Sequence, residues 1–169
     1  MLLGMLVSAC SSIDCSLSSV VLCHMQFHNT DGDSVALAYP LDVYLLQHDG
    51  DTTHYINKQS TATNINIPLS IAGVEDSIML SVSRPDTIRF IRDGEVVDSI
   101  ITVSVSDVFV ISKTNEPWFE SVDCTPHYNH TIESVKVISS HFIDSIVINE
   151  PYVNNGTKKN LYIRLHNVR

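Results

Sequence analysis

A chain of 169 residues is long enough to bury one real core. Its net charge of −9 disfavours sequence-independent binding to nucleic acid or to an anionic membrane surface. Val, Ile, Ser and Thr are abundant and no stretch sustains a 3.6-residue apolar period, so the composition reads as all-β. Charge is uneven: five of the ten basic residues lie at or after Lys136, and Lys58 alone precedes Arg84.

Met1 to Cys10 reads Met-Leu-Leu-Gly-Met-Leu-Val-Ser-Ala-Cys. Its apolar run is too short to span a bilayer as a helix and suits an export signal. Val7-Ser8-Ala9-Cys10 resembles the bacterial lipobox, in which the Cys is diacylated and becomes the mature N-terminus. No Lys or Arg precedes the run, a departure from that pattern. The expected organisation is a signal peptide over 1–9, a polar tether over 10–17 and one β-sandwich domain over 18–169. Lipid on Cys10 would anchor the protein without spanning the membrane.

Ser18–His28 predicts the first strand, with Val21, Cys23, Met25 and Phe27 on one face and His24, Gln26 and His28 on the other. Asn29–Asp33 is a turn. It imitates a calcium loop, but Ser34 stands where Gly is needed and Pro40 where the bidentate Glu belongs. Val35–Leu46 is extended and interrupted at Pro40. Gln47–Asp51 is a hairpin turn, and Thr52–Asn57 returns. Ile65, Ile67 and Leu69 alternate as a strand. Ser77–Ser83, Thr87–Arg92, Glu95–Val105 and Val108–Ser112 follow, with Asp93-Gly94 a strong hairpin signal. The stretch Glu116–His130 contains the sole Trp and reads as a structured crossing, because Pro117 and Pro126 cannot donate ladder hydrogen bonds. Thr131–Ser139, Asp144–Ile148 and Leu161–Val168 complete the set, with Asn154-Asn155-Gly156 a turn. Eight to ten short strands at this spacing predict an immunoglobulin-like antiparallel β-sandwich.

An Asp-Ser/Thr-apolar pattern places hydroxyls at Ser34, Thr52, Ser77, Thr87, Ser99 and Ser145. It reads structurally as Asp and Ser closing a turn before the next strand. It also resembles the O-glycosylation acceptor of exported Bacteroidetes proteins.

Chemistry is sparse. Cys124, His127 and His130 have ligand-like spacing, but no second Cys/His pair flanks them. His24 and His28 sit about 13 Å apart along a strand, too far to chelate one ion. No Gly-x-Ser-x-Gly elbow, phosphate-binding Gly loop or His-Glu-x-x-His is present. No metal and no cofactor is expected, and no catalytic residue is assigned. Trp118, Phe119 and Tyr128 are the candidates for a ligand platform, although a lone Trp beside Pro is more often a core plug. With Cys10 lipidated, three Cys remain and at most one intramolecular bridge forms. Cys23 shares the apolar strand face, where a free thiol behaves as a small hydrophobe. Cys15 and Cys124 lie in irregular backbone and form the expected pair. Pairing of Cys23 with Cys124 stays open if their strands are neighbours.

The stretch Thr114-Asn-Glu-Pro-Trp-Phe-Glu-Ser-Val-Asp-Cys-Thr-Pro126, the run Ile143-Asp-Ser-Ile-Val-Ile-Asn-Glu-Pro-Tyr-Val153, the Asn160-Leu-Tyr-Ile-Arg-Leu165 ending and the early Cys10 with Asp14-Cys15 resemble an uncharacterised family of Bacteroidetes lipoproteins, a domain of unknown function. Cys23 departs from it, since an ordinary apolar residue is commoner at that position there. The resemblance implies export, lipid anchoring and a β-sandwich, and implies no activity. The sequence-level reading is a non-catalytic interaction or structural module, exported and lipid-anchored to the cell envelope, with the outer membrane favoured. Its expected partners are the membrane and an envelope protein or glycan. The alternative is a small envelope glycan-binding domain or hydrolase.

Overall fold

The computed structural model describes Cys15, residues 18–47 and residues 50–166. The expected signal segment 1–9 and the expected lipidation site Cys10 therefore lie outside the described residues.

Ten strands form two packed sheets: β1 Leu22–His28, β2 Leu41–Leu46, β3 Thr52–Gln59, β4 Asn64–Pro68, β5 Glu75–Arg92, β6 Glu95–Trp118, β7 His127–Val137, β8 Ile143–Ile148, β9 Tyr152–Val153 and β10 Leu161–Leu165. One sheet is ordered β4-β1-β10-β8 and the other β3-β2-β5-β6-β7-β9. The fold is an all-β sandwich. Pairing is antiparallel except between β1 and β10, which run parallel from Met25↔Leu161 to His28↔Arg164.

Alternation explains the layers. Cys23, Met25 and Phe27 of β1, Ile65 and Ile67 of β4, and Leu161 and Ile163 of β10 point inward. They meet Leu41 and Val43 of β2, Ile78, Leu80 and Val82 of β5, and Phe109 and Ile111 of β6. Each such side chain, fully buried, contributes about 1.5–3 kcal/mol. The outward face of β5 and β6 is instead rich in serine. Ser106 Oγ donates to Ser81 Oγ at 2.9 Å, and the Ser83 and Ser104 hydroxyls meet at 3.2 Å.

The four short strands expected between Ser77 and Ser112 are two long ones. β5 and β6 pair without a break from Glu75↔Ser112 to Arg92↔Glu95. The turn is Asp93-Gly94, both residues at positive φ, as an Asn-Gly or Asp-Gly hairpin requires. Pro85 does not end β5, because β2 pairs with β5 only as far as Val82, opposite Leu41. Past that point β5 is an edge, where Pro is tolerated. From Pro85 to Thr102 the hairpin is therefore a two-stranded arm, about 27 Å long at ordinary strand rise.

Two further expectations are corrected. The stretch around Trp118 is no crossing: β6 continues through Pro117 and Trp118, which pair with Tyr128 and His127 of β7, and residues 119–126 form the hairpin loop. Beyond Ser112 β6 has no β5 partner, so Pro117 again lies at an edge. The Asp-Ser/Thr pattern closes turns at Asp33 and Asp51. At Asp76, Asp86, Asp98 and Asp144 it lies inside β5, β5, β6 and β8. There alternation alone sets it: Arg89, for example, forks onto Asp98 across the arm at 2.8 and 3.3 Å.

One buried carboxylate ties the sheets together. Asp107, on the inward face of β6, accepts hydrogen bonds from the backbone N–H groups of His141 (2.6 Å), Phe142 (2.7 Å) and Ile143 (2.8 Å) and from His141 Nδ1 (2.8 Å). These donors lead into β8 of the opposite sheet. Burial alone pushes this carboxyl up. The backbone donors of Ile143, Phe142 and His141, with the His141 ring, outweigh it and hold Asp107 below its usual range. In Asp107→Asn one carboxylate oxygen becomes an NH₂ facing an N–H donor, and we expect a loss of about 2–3 kcal/mol. A depressed folded pKa stabilises above the unfolded value and is lost as pH falls through the folded one. Wild-type stability therefore drops as pH falls below about 4, and the Asn variant has a flatter acid limb. Urea melts from pH 7 to pH 2 measure both.

Candidate functional site

The sequence-selected residues concentrate at the end of the sandwich where β6 finishes. Cys15 and Cys124 are joined by a disulfide across 109 residues, with Cα atoms 5.7 Å apart. Cys124 lies in the β6–β7 loop, so the start of the domain is stapled beside Trp118. Among the described residues Cys23 is the free cysteine, buried at full depth in β1. Burial, and after it the charge of Asp76, pushes its thiol up to about 12.

Trp118 does not plug the core. It is 39% exposed and its ring tilts against His127 at 4.8 Å between centroids. Trp118 shares the outward parity of Ser112, Thr114 and Glu116 on β6, so its indole is directed away from the core. Trp118 and Tyr128 also belong to successive register pairs, Trp118↔His127 and Pro117↔Tyr128, and face opposite sides of the ribbon. The three aromatics expected to form one platform are thus divided between faces. Phe119 is exposed in the loop.

The ligand-like trio is dispersed in the same way. Cys124 is spent in the disulfide, and His127 and His130, three apart on a strand, face opposite sides. Among the described residues, no three His, Cys, Asp or Glu side chains come together as a metal site would require. His130 donates from Nδ1 to Asn115 Oδ1 at 2.7 Å. Burial, then the charge of Lys113, holds it down to about 4 against the opposing pull of Asp76, so it is neutral near pH 7.

Lys113 is a feature that sequence reading missed. Its side chain is fully buried, yet Nζ donates to Ser70 O (2.6 Å), Gly73 O (2.7 Å) and Asn115 Oδ1 (2.9 Å) and lies 3.3 Å from Asp76 Oδ2. Asn115 Nδ2 donates to Ile71 O and Gly73 O. The 70–73 loop is therefore fixed from beneath. A shift in register between Ser112 and Lys113 leaves Glu133 of β7 extra and turns Lys113 and Ile132 to the same inward face.

A second corner imitates a hydrolase triad. Ser140 Oγ lies 3.2 Å from His166 Nε2, and His166 Nδ1 lies 3.6 Å from Asp144 Oδ1. A cavity of about 220 Å³, lined by Leu37, Val82, Phe142 and Leu165, opens beside it. The chemistry is set the wrong way. Ser140 donates its proton to Ile143 O, so its oxygen can only accept from Nε2, and His166 is then no base for it. The neighbouring N–H groups that could receive an oxyanion already bind Asp107.

The pattern hydroxyls are scattered. Ser34 and Thr52 are exposed, Thr87 and Ser99 lie on the arm, and Ser77 is half-buried in a central strand. Ser145 donates to Asp144 Oδ2.

The arm exposes a run of large apolar side chains. Ile88, Phe90, Val97, Ile101 and Val103 continue the inward stripe past the opposite sheet. On the other face Ile91, Val96 and Ile100 are open, Ile100 at 78%. The outward Ser pattern of the body gives way there to these three aliphatics around the Arg89–Asp98 pair.

Fold and site together define an all-β sandwich domain with a disulfide-held N-terminal lead and a projecting hairpin. The chain belongs to the family of unknown function DUF6452, which matches residues 41–165, from β2 through β10. No curated protein and no solved structure matches the chain.

Two outcomes check this geometry. Non-reducing peptide mapping yields a Cys15–Cys124 peptide, and at pH 8 Cys23 resists iodoacetamide until the protein is unfolded. Trp118→Ala lowers stability by about 1 kcal/mol in a denaturant melt, where a buried plug would lose about 3–5 kcal/mol.

Proposed function

We propose that the protein is an exported lipoprotein of a Bacteroidetes cell envelope, anchored through Cys10 and serving as a non-catalytic interaction module. The arm is its contact surface for another envelope protein. One observation supports this most: a two-stranded ribbon, with exposed apolar side chains on both faces, stands clear of the sandwich at the end away from Cys15. Two-stranded hairpins are marginal alone in water, and strands apolar on both faces belong between two layers. β6 runs from Glu95 near the arm tip to Trp118, six residues before the disulfide-bonded Cys124. Twenty-four residues at strand rise extend on the order of 75 Å, so the arm reaches far from the anchor. The unbalanced Ser140–His166–Asp144 corner supports a module without hydrolase activity.

The test has two parts. Wild type fractionates with membranes and carries the mass of a lipid, whereas Cys10→Ala is released or left unprocessed. A photo-crosslinker at Ile100 or Ile91 captures a defined envelope protein, and one at Ser112 on the body does not. A soluble, unmodified wild type would refute the anchor. Equal capture from arm and body would refute the arm.

A further inference from the structure

The end of the domain nearest Cys10 carries apolar side chains that no core needs. Val20, Ile71, Val74, Trp118, Phe119 and Val122 are all exposed, Ile71 at 60% and Val122 at 96%. They lie on both sides of the end of the β6–β7 ribbon. Val20 and Ile71 line one hollow with Tyr128 on its inward side. Tyr128 pairs with Pro117, and Trp118, one residue on, stands on the opposite side against His127. The loop carrying Phe119 and Val122 is stapled to Cys15. Ile71 and Val74 are not exposed through slack, because the Lys113 and Asn115 side chains hold the backbone of residues 70–73 from below and the Lys113 N–H donates to Val74 O.

We infer that this end is a seat on a lipid bilayer, with Trp118, Phe119, Val122, Ile71 and Val20 in the interfacial zone of a zwitterionic membrane. The inference rests on the anchoring at Cys10 proposed above. Cys10 precedes Cys15 by five residues, a reach of at most about 17 Å. A lipid there holds this end, and not the arm, against the surface. The side chains match: an amphipathic indole, a Phe and aliphatics suit the boundary between headgroups and chains. Charge selects among occupants. Glu116 and Asp123 border the patch, and the base beneath it, Lys113, is buried. A second copy would set these acids against their counterparts, and an anionic lipid would be repelled. A neutral headgroup layer meets neither cost. The disulfide makes the contact rigid, so lipid and patch act as two membrane signals, which one acyl chain alone does not supply.

Trp118 is the only tryptophan, so its fluorescence reads this surface directly. Lipidated wild type is placed on phosphatidylcholine vesicles, with the Cys10→Ser form free in solution as reference. On vesicles Trp118 emission shifts to the blue, brominated phosphatidylcholine quenches it, and iodide quenching falls about threefold. Adding phosphatidylglycerol does not strengthen these changes. Val122→Asp combined with Phe119→Asp, both exposed and harmless to the fold, leaves the protein on vesicles but restores iodide access. Co-sedimentation with Trp118 still open to iodide and untouched by brominated lipid would overturn the seat and leave the anchor standing. A wild type that carries no lipid and does not co-sediment would overturn both.

Discussion

Eighteen consecutive residue pairs between β5 and β6 set the axis of this molecule. One tight turn at Asp93-Gly94 fixes their register; β2 and β7 are placed directly against that ribbon, and β3 and β9 through them. β2 covers β5 for six pairs and β7 covers β6 from Phe109 onward. Because β2 and β7 stop short of the hairpin turn, the ribbon is bare at that end, which is the arm. At the other end β6 outruns β5, and Pro117 and Trp118 pair with β7 alone, with the disulfide beside them.

Two buried charges hold the rest to this axis. Isolated, each would be strongly unfavourable in the interior. Asp107 is instead enclosed by three backbone donors and an imidazole, and Lys113 by two carbonyls, an amide oxygen and a carboxylate. Both sit on the inward face of β6, six residues apart, and each grips a loop that leads to or from the smaller sheet. Interior apolar contacts are non-directional, whereas these bonds have fixed geometry. They specify how the two sheets meet at opposite ends of the shared core.

Local patterns made most strands readable. Val21, Cys23, Met25 and Phe27 alternate cleanly, Ile65 and Ile67 do the same, and Asp93-Gly94 announces its turn. The readings that failed were those that depended on neighbours. Pro85 breaks a strand only where a partner needs its N–H, and the absence of β2 beyond Val82 is not written near Pro85. Trp118 reads as a plug if it points inward, and the unbroken run of β6 through Pro117, which puts Trp118 on the outward face, decides that. Lys113 carries no local sign of burial, since Ile111-Ser-Lys-Thr-Asn115 looks like a strand leaving the core. The pairing of Cys15 with Cys124 was accessible because Cys23 sat so plainly on an apolar face.

The Cys15–Cys124 bond also decides how the domain bears load. β1 is a short strand, paired to β10 over four residues and to β4 over five. Tension applied at the chain's beginning would otherwise peel β1 away one hydrogen bond at a time, the weakest direction in which a ladder can be pulled. With the disulfide in place, force entering ahead of Cys15 bypasses β1 and passes into the loop between β6 and β7. From there it runs along the long strands, where many ladder bonds share it in shear. A tug on the arm and a hold on the N-terminal lead therefore meet along one stiff line, and the strand that carries the free thiol is mechanically idle.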